Sequence, residues 1–449
     1  MSSPTTARRP ARSTWRETLA RISRVRLTSR GVGASVLGVA LVPLGLVLTL
    51  PHLVGLGTAA LLAVGVAWVV IGTQRLESGR GALRVTRTVS PNPVVRDRTA
   101  EVGLLVAARQ TSGAAYERLS RLRLSEQAAH ELAGHQGIRA RVSARADRIA
   151  VHYSLTPTRR GRWPLGPLLT TRTDVFGLVR ATQPLGSATH VPVWPRTVEL
   201  AVRTRSVGDV DHSATGARLQ STDDSVLREY VAGDDPRRVH WASAARRGQL
   251  MVRADESAGV RPVTVLLDRS LLPHWQDATG LRRPAAVDDG EWAVELAASV
   301  ATSFLDAGHP TRLVTTTVAP MLESARFVGT RAGRAAILDA CVDVRGHRGS
   351  SEGHQATART AQALRLARTA GEIVVAVLGP HDPEARRSLA ALGVEGTCWA
   401  LLVEPRGEGF RHELDETSTE LRASGWHVST TPSRTDPERA WALLAEGAL

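Results

Sequence analysis

The chain has 449 residues, which is enough for two or three domains with hydrophobic cores of their own. Its formal net charge is +14, and all 57 basic residues are Arg, because the sequence contains no Lys. Eight Arg and one Glu precede the first apolar segment, so attraction to anionic lipid headgroups explains half of the excess charge without nucleic acid. The only two cysteines, Cys341 and Cys398, exclude a disulfide framework and a cysteine metal site, and their apolar neighbours predict buried free thiols.

Two apolar runs near the N-terminus, residues 32–50 and 53–72, contain no charged residue. A hydrocarbon core of about 30 Å needs roughly 20 helical residues, so we predict a transmembrane helical hairpin that turns at Pro51. A signal peptide is the alternative for the first run, but the second run would act as a stop-transfer segment. Buried helices of a soluble domain are the alternative for both runs, and the lack of charge disfavours them.

The distribution of Arg predicts the orientation of this hairpin. Arg residues precede the first run and follow the second run, whereas the loop that connects the two runs has none. Cytoplasmic segments carry such an excess of positive charge. We therefore expect residues 1–31 to form a basic cytoplasmic tail, residues 32–72 to lie in the cell (inner) membrane, and both termini to be cytoplasmic.

Residues 81–200 have the pattern of an antiparallel β-sandwich, with short alternating stretches separated by Pro, Gly and Asn. Strands are predicted around residues 85–95, 100–106 and 149–155. Gly161 and Gly166 can adopt backbone angles that other residues avoid, so tight hairpin turns are predicted there.

Residues 262–449 alternate between strand and helix, which predicts an α/β domain with a mostly parallel sheet and helices on both faces. Residues 346–354 contain Gly, Ser and His and indicate a mobile loop. Predicted strands are 263–267, 312–316, 373–378, 398–403 and 426–430, and predicted helices are 291–305, 335–344, 356–370, 383–392 and 437–445.

The densest motif lies between these domains, in residues 201–261. Asp235 can act as an N-cap, Pro236 suits the first helical position, and Gly248 suits the residue after the last turn, so a short helix is predicted over 236–247. Residues 226–231 fit either a helical turn or a strand. Twelve residues of the motif are candidates for an interaction site: Arg228, Glu229, Tyr230, Gly233, Asp234, Asp235, Arg237, His240, Trp241, Ser243, Arg246 and Arg253.

Six Arg and five acidic residues stand between positions 228 and 256. Because unpaired buried charges are costly, this balance predicts paired charges, as in an ion-pair network that joins the two domains. A partner-binding face is the second interpretation. The third is a catalytic site, with Asp234, Asp235 and His240 as neighbouring acid/base candidates but no nucleophile of defined geometry beside them.

The motif is similar to the signature of the family catalogued as domain of unknown function 58. The family has Leu-Arg-Glu-Tyr, Gly-Asp-Asp-Pro-Arg-Arg and Trp-Lys-Ala-Ser-Ala-Arg, which correspond here to residues 227–230, 233–238 and 241–246. Ala242 replaces the Lys, and Ser243-Ala244 replaces Ala-Ser. The resemblance implies a membrane-tethered cytoplasmic protein with a von Willebrand factor A-like domain and no established biochemical activity. Such proteins are often encoded beside a MoxR-type AAA+ ATPase and a transglutaminase-like membrane protein.

Domains of the von Willebrand A type hold Mg²⁺ in an Asp-x-Ser-x-Ser loop after the first strand, because Mg²⁺ prefers oxygen ligands. Here Asp268 and Ser270 match the first two positions, but Leu272 occupies the third and Arg269 adds a positive charge. Asp382, after a later strand, offers a further oxygen. The site is therefore degenerate for Mg²⁺, no cofactor is expected, and Asp268 is expected to cap or hydrogen-bond neighbouring loops.

These features favour a membrane-anchored interaction protein that docks a MoxR-type AAA+ ATPase or a client and is not an enzyme. The alternative is an enzyme that acts on an envelope-related substrate through Asp234, Asp235 and His240. Nucleic-acid binding is a third hypothesis, suggested by charge alone, and the lack of aromatic residues arrayed beside Arg argues against it. The sequence contains no P-loop and no Lys to serve one.

Overall fold

A computed structural model of the chain describes residues 25–74, 76–77, 82–110, 112–120, 122–133, 140–145, 147–202, 227–229, 251–253, 261–273, 284–320, 331–369, 371–394, 396–404 and 410–446. The chain divides into two compact units between Val193 and Trp194. The first unit contains two apolar helices and two antiparallel sheets, and the second contains a parallel sheet.

The first unit begins with helices α1 (Ser29–Val47) and α2 (Pro51–Thr73), each long and apolar enough to cross a membrane. The Thr28 hydroxyl caps α1 by accepting a hydrogen bond from the Gly31 amide. Pro51 opens α2, where its missing N–H leaves no hydrogen bond unmade. Two such helices lie where the sequence predicts them, which suggests membrane association.

Glycines let α1 and α2 approach closely, because Gly38, Gly45 and Gly57 lie against atoms of the opposite helix. The buried residues of α1 are Gly31, Gly38 and Gly45. A Cβ atom at Gly38 would lie 2.9 Å from the Gly57 carbonyl oxygen, so the two backbones approach closely. Leu46, by contrast, is 65% exposed. Buried glycine with exposed leucine is expected of helices in lipid and is the reverse of a soluble core.

Two antiparallel sheets follow. One has the strand order β2-β4-β7-β6, and the other has the order β1-β9-β8-β10-β3, with β5 paired to β8 as well. Short helices α3 (Gly113–Ser120) and α4 (His130–Ala133) lie between strands in the chain. The strands are β1 (Val25–Leu27), β2 (Leu83–Ser90), β3 (Val94–Val95), β4 (Ala100–Ala108), β5 (Arg123–Ala128), β6 (Ala140–Ala144), β7 (Arg148–Leu155), β8 (Gly161–Thr173), β9 (Val179–Leu185) and β10 (Thr189–Trp194).

Both sheets contribute side chains to one hydrophobic core. Val102 and Leu104 of β4 are buried on the same face, because alternate residues of a strand share a face. They belong to the same buried cluster as Leu165 and Leu168 of β8 in the other sheet. The strands predicted from alternating apolar residues are present, with longer bounds than the sequence indicated.

The N-terminal end of α1 and the C-terminal end of α2 both contact the sheet that contains β9. The Thr28 amide donates a hydrogen bond of 2.9 Å to the Leu178 carbonyl just before β9. At the end of α2, the Arg172 guanidinium donates to the Gln74 side chain at 2.9 Å and to the Ile71 carbonyl at 3.3 Å. Both ends of the helix pair therefore lie on the same side, next to the sheet.

Gly161 and Gly166 have the positive φ angles that the sequence indicated, +141° and +91°, but the predicted hairpin turns are wrong. Both glycines lie within β8. The φ of Gly166 favours glycine because other residues are strained there, and the Arg87 guanidinium lies 2.6 Å from where a Cβ atom would be.

The second unit contains a parallel sheet with strand order β14-β13-β15-β16-β17. Alternate residues of β13 enter different cores: Val265 packs with α5, α6 and α10, and Leu266 packs with α7, α8 and α9. Helices therefore cover both faces. The elements are β13 (Val263–Leu267), α5 (Pro284–Asp306), β14 (Thr311–Thr315), α6 (Arg331–Val342), α7 (Ser350–Ala367), β15 (Ile373–Leu378), α8 (Pro383–Gly393), β16 (Cys398–Glu404), α9 (Arg411–Ala423), β17 (Trp426–Pro432) and α10 (Pro437–Glu446).

Two expectations for this unit are wrong. The predicted mobile loop at 346–354 is wrong from residue 350 onward, where α7 begins and Gly353 is buried. Helix α9 was not predicted, since its inward face includes Thr417 and Ser418 and therefore lacks a continuous apolar stripe. Cys341 and Cys398 are free and buried, as predicted.

Candidate functional site

The candidate site lies at the carboxyl edge of the parallel sheet, where β13 and β15 end side by side. The strand order reverses between these two strands, and ligands of open α/β sheets bind in the crevice at such a point. Asp268 follows β13 directly, Thr316 follows β14, and His381 stands three residues after β15. All three side chains are buried.

The Asp268 carboxylate connects the loops at this edge. Its Oδ1 accepts a hydrogen bond of 2.9 Å from the Ser270 amide, which caps the short 3₁₀ helix Arg269–Leu271. Its Oδ2 accepts a bond of 3.1 Å from the Gly379 amide beyond β15. The His381 Nε2 atom lies 3.2 Å from the same Oδ2. Asp268 therefore does cap and bond neighbouring loops, as its sequence context predicted.

A second histidine extends this group. The Nδ1 atoms of His381 and His354 are 3.5 Å apart, and the two rings meet edge to face. The His381 amide donates to the Thr417 hydroxyl at 3.2 Å, and the Arg386 guanidinium donates to the His381 carbonyl at 3.2 Å. These contacts fix the His381 ring between α7 and the loop that carries Asp268.

Burial at the site raises the pKa of Asp268, but the neighbouring His381 and the hydrogen bonds from Ser270 outweigh burial and hold that pKa well below its usual value. Asp268 is therefore ionised at neutral pH. Burial lowers the pKa of the Arg269 guanidinium, against the opposing charge of Glu352. Arg269 donates from Nε to the Arg345 carbonyl at 2.6 Å.

Two further oxygen-bearing side chains near Asp268, those of Thr316 and the predicted candidate Asp382, have different surroundings. Thr316 Oγ1 lies 3.5 Å from Asp268 Oδ1 and 3.2 Å from His347 Nε2, and it accepts a hydrogen bond of 2.9 Å from the Arg269 amide. The Asp382 carboxylate caps α8 instead, because its Oδ1 accepts a bond of 2.9 Å from the Ala385 amide. Among the described residues, no group of three or more His, Cys, Asp or Glu side chains could hold a metal ion.

The signature segment is described only in part. The backbones of β11 (Leu227–Glu229) and β12 (Met251–Arg253) form an antiparallel pair in which Arg228 is opposite Val252. Of the two alternatives for residues 226–231, the structure has the strand, over residues 227–229. Arg228, Glu229 and Arg253 lie in these two strands. The predicted helix over 236–247 and the candidates Tyr230, Gly233, Asp234, Asp235, Arg237, His240, Trp241, Ser243 and Arg246 lie outside the described residues.

Sequence reasoning found Asp268 and Ser270 but did not assign a role to His381, His347 or Thr316. Thr316 and His381 stand in loops that follow strands, so the strand ends were the available signal for these two, whereas His347 follows α6. His347 stood in the segment interpreted as a mobile loop. The pairing of β13 with both β14 and β15 brings these distant residues together.

The family model described as "Protein of unknown function DUF58" matches residues 226–406 and supports the DUF58 family. No curated protein matches the chain. Among solved structures, a mutant of the PilB minor pilin from Streptococcus sanguinis is 7% identical, with a TM-score of 0.29, over 84% of this chain and 80% of that chain. A thermostable esterase is 10% identical, with a TM-score of 0.23, over 81% of this chain and 96% of that chain.

Proposed function

We propose that this chain is a membrane-anchored interaction protein whose α/β unit binds a MoxR-type AAA+ ATPase in the cytoplasm. In this proposal α1 and α2 span the cytoplasmic membrane as a hairpin, and both termini are cytoplasmic. The two antiparallel sheets form a β-sandwich next to the membrane. The parallel sheet belongs to a von Willebrand factor A-like domain, and a transglutaminase-like membrane protein is a neighbour in the same assembly.

One observation carries the choice of binding over catalysis. At the reversal point of the parallel sheet, the buried Asp268 carboxylate already accepts hydrogen bonds from the Ser270 and Gly379 amides and faces His381. A carboxylate held in this way and kept ionised is poorly suited to exchange protons during a reaction. The same contacts make the edge rigid, which favours a preorganised binding surface.

The residues at this edge do not fit a resident Mg²⁺, and we propose that the site works without one. Both Asp268 oxygens accept backbone hydrogen bonds. The isobutyl group of Leu272 stands at the position where domains of the von Willebrand A type have a Ser hydroxyl. The Arg269 charge further disfavours a cation. Octahedral coordination by oxygen would require these ligands to leave their present partners.

Binding is tested with the full-length protein in nanodiscs and a purified MoxR-type ATPase from the same cell. We expect the two proteins to co-elute in size-exclusion chromatography, with a yield that differs between ATP and ADP. Absence of a complex under both nucleotide conditions would contradict the proposal.

Added Mg²⁺ without nucleotide should leave the melting temperature of the full-length protein unchanged.

Three Ala variants, at Asp234, Asp235 and His240, separate this proposal from the enzyme hypothesis. Loss of co-elution or of folding in these variants supports the interaction protein. Intact folding and intact co-elution, together with loss of turnover of an envelope-derived substrate, would support the enzyme instead.

A further inference from the structure

A cavity of about 980 Å³ lies in the first unit, between strands of the two antiparallel sheets. Its walls are mainly aliphatic, with Leu104 of β4, Leu124 of β5, Val151 of β7 and Leu168 of β8 among them. This volume is at the upper end of the roughly 300–1,000 Å³ typical of pockets for small molecules. Apolar walls offer few hydrogen bonds to water, so the cavity suits an apolar molecule.

Two polar residues of this wall are set apart by burial, since the other polar lining residues, Tyr116, Glu117, Ser120 and Arg145, are exposed. Tyr153 is 3% exposed and lines the cavity, and its hydroxyl has no hydrogen-bond partner among the described residues. Glu126 lines the cavity as well. Its Oε1 accepts a bond of 2.7 Å from Arg87 Nε, while its buried Oε2 has no partner in the described part of the chain. Arg87 Nη2, in the same ion pair, has no hydrogen-bond partner among the described residues either, but Arg87 does not line the cavity. Buried polar atoms are nearly always paired, so the two lining atoms point to a ligand that completes them.

The polar groups also restrict the charge of that ligand. Arg87 and Glu126 compensate each other, because their side chains form a buried ion pair. Glu126 Oε2 can only accept a hydrogen bond, whereas the Tyr153 hydroxyl can donate or accept. A neutral hydroxyl satisfies both at once, by donating to Glu126 and accepting from Tyr153. A carboxylate headgroup would be repelled by Glu126, since Arg87 compensates only one negative charge.

We infer that this cavity binds a neutral single-chain lipid, with the chain among the aliphatic residues and a hydroxyl headgroup between Tyr153 and Glu126. The source of such a lipid in the bilayer rests on the membrane anchoring proposed above, since the Thr28 and Arg172 contacts hold this unit at the ends of α1 and α2. Burial and the charge of Glu126 raise the pKa of Tyr153, with Arg87 acting in the opposite direction, so the hydroxyl stays protonated and able to hydrogen-bond.

The experiment uses the full-length protein in phosphatidylcholine nanodiscs that contain a trace of diazirine-labelled monoacylglycerol. After irradiation and digestion, mass spectrometry locates the adducts. We expect adducts on peptides that contain Leu104 and Val151. Adducts restricted to α1 and α2 would overturn the inference, whether or not the ATPase binds, so this result is independent of the co-elution test.

Matched variants distinguish the cavity from a general apolar surface. Val142 lines the cavity and is 65% exposed, so Val142→Trp can obstruct the cavity with little risk to folding. Ser143→Trp on the same strand is the control, because neighbouring residues of a strand point to opposite faces. Labelling should fall in Val142→Trp and persist in Ser143→Trp. Equal labelling of both variants would contradict a cavity site.

Two further measurements test the assignment of a neutral hydroxyl headgroup. Tyr153→Phe removes one hydrogen bond and should lower monoacylglycerol labelling about fivefold. A diazirine fatty acid of the same chain length should label the unmodified protein less than the monoacylglycerol does. Equal labelling by the two probes, or no effect of Tyr153→Phe, would overturn the neutral hydroxyl.

Discussion

Asp268 shows how a residue with a recognisable sequence context can have a structural use. Its motif suggested a metal ligand or a cap, and the structure makes it a cap that also bonds the loop after β15. The contacts of the carboxylate join residues that are more than 100 positions apart in the chain. Asp268 is therefore expected to matter for stability whatever the α/β unit binds.

Asp268→Asn should lower the free energy of unfolding by about 3 kcal/mol at neutral pH, because the amide replaces one acceptor oxygen with a donor that faces the Gly379 or Ser270 amide. Urea unfolding of the detergent-solubilised protein, followed by tryptophan fluorescence, measures this change. Asp382→Asn is the control at the same edge, since Asn caps a helix about as well as Asp does. Equal losses in the two variants would contradict a special role for Asp268.

The same comparison has a predicted dependence on pH. The pKa of folded Asp268 is held below the value in the unfolded chain. Its contribution is therefore complete above the unfolded pKa, about 4, and is lost as the pH falls towards the folded pKa. The stability difference between the unmodified protein and Asp268→Asn should be constant above about pH 5 and should shrink below about pH 4. A difference that grows on acidification would show the opposite shift.

A buried ion pair between Arg312 of β14 and Glu372, just before β15, gives a second prediction for single residues. Arg312 donates to Glu372 Oε1 at 3.0 Å and to the Thr264 hydroxyl at 2.6 Å, and both charged side chains are almost fully buried. Arg312→Met should cost about 3–5 kcal/mol, because it leaves the Glu372 charge buried without this partner. The double variant with Glu372→Leu should cost less than the sum of the single changes. Urea unfolding of the three variants measures the coupling, and additivity would contradict it.

At the scale of elements, apolar runs predicted the parallel sheet well. Strands β13 and β15 consist of buried residues along their whole length, so a continuous run of apolar residues was sufficient to predict each strand. Helix α9 escaped prediction because polar residues occupy part of its inward face. The carboxyl edge could be predicted only at Asp268, since the meeting of His381, His354 and Thr316 depends on strand order, which local sequence does not encode.

The start of α1 offers a test of its contact with the sheet. A Cβ atom at Gly31 would lie 2.0 Å from the Leu178 carbonyl oxygen, whereas one at Gly33 would meet no atom within 4 Å. Gly31→Ala should therefore lower the melting temperature of the full-length protein in detergent by several degrees. Gly33→Ala gains the same helix propensity without the collision, so it should be neutral or stabilising. Equal melting temperatures would indicate that α1 does not dock as described.

At the scale of the whole molecule, the proposed topology predicts which sites are accessible from outside the cell. His52→Cys is in the first turn of α2, next to the connection with α1, and Leu366→Cys replaces a side chain that is 87% exposed. A membrane-impermeant maleimide should label His52→Cys on intact spheroplasts and Leu366→Cys only after permeabilisation. The native thiols Cys341 and Cys398 are buried and should add little background. The reverse pattern would place the C-terminal unit outside.

The pairing of β1 with β9 sets an order of events during biosynthesis. Val25 is opposite Ala181, so the strand that precedes α1 must wait for a partner translated about 150 residues later. At about 5–20 residues per second, that delay is roughly 8–30 s, during which both helices have already left the ribosome. In the proposed topology, the nascent protein is therefore inserted first and its first sheet is closed afterwards, at the bilayer surface. A ribosome stalled before Val179 would leave an anchored chain whose β1 edge is open to other unpaired strands.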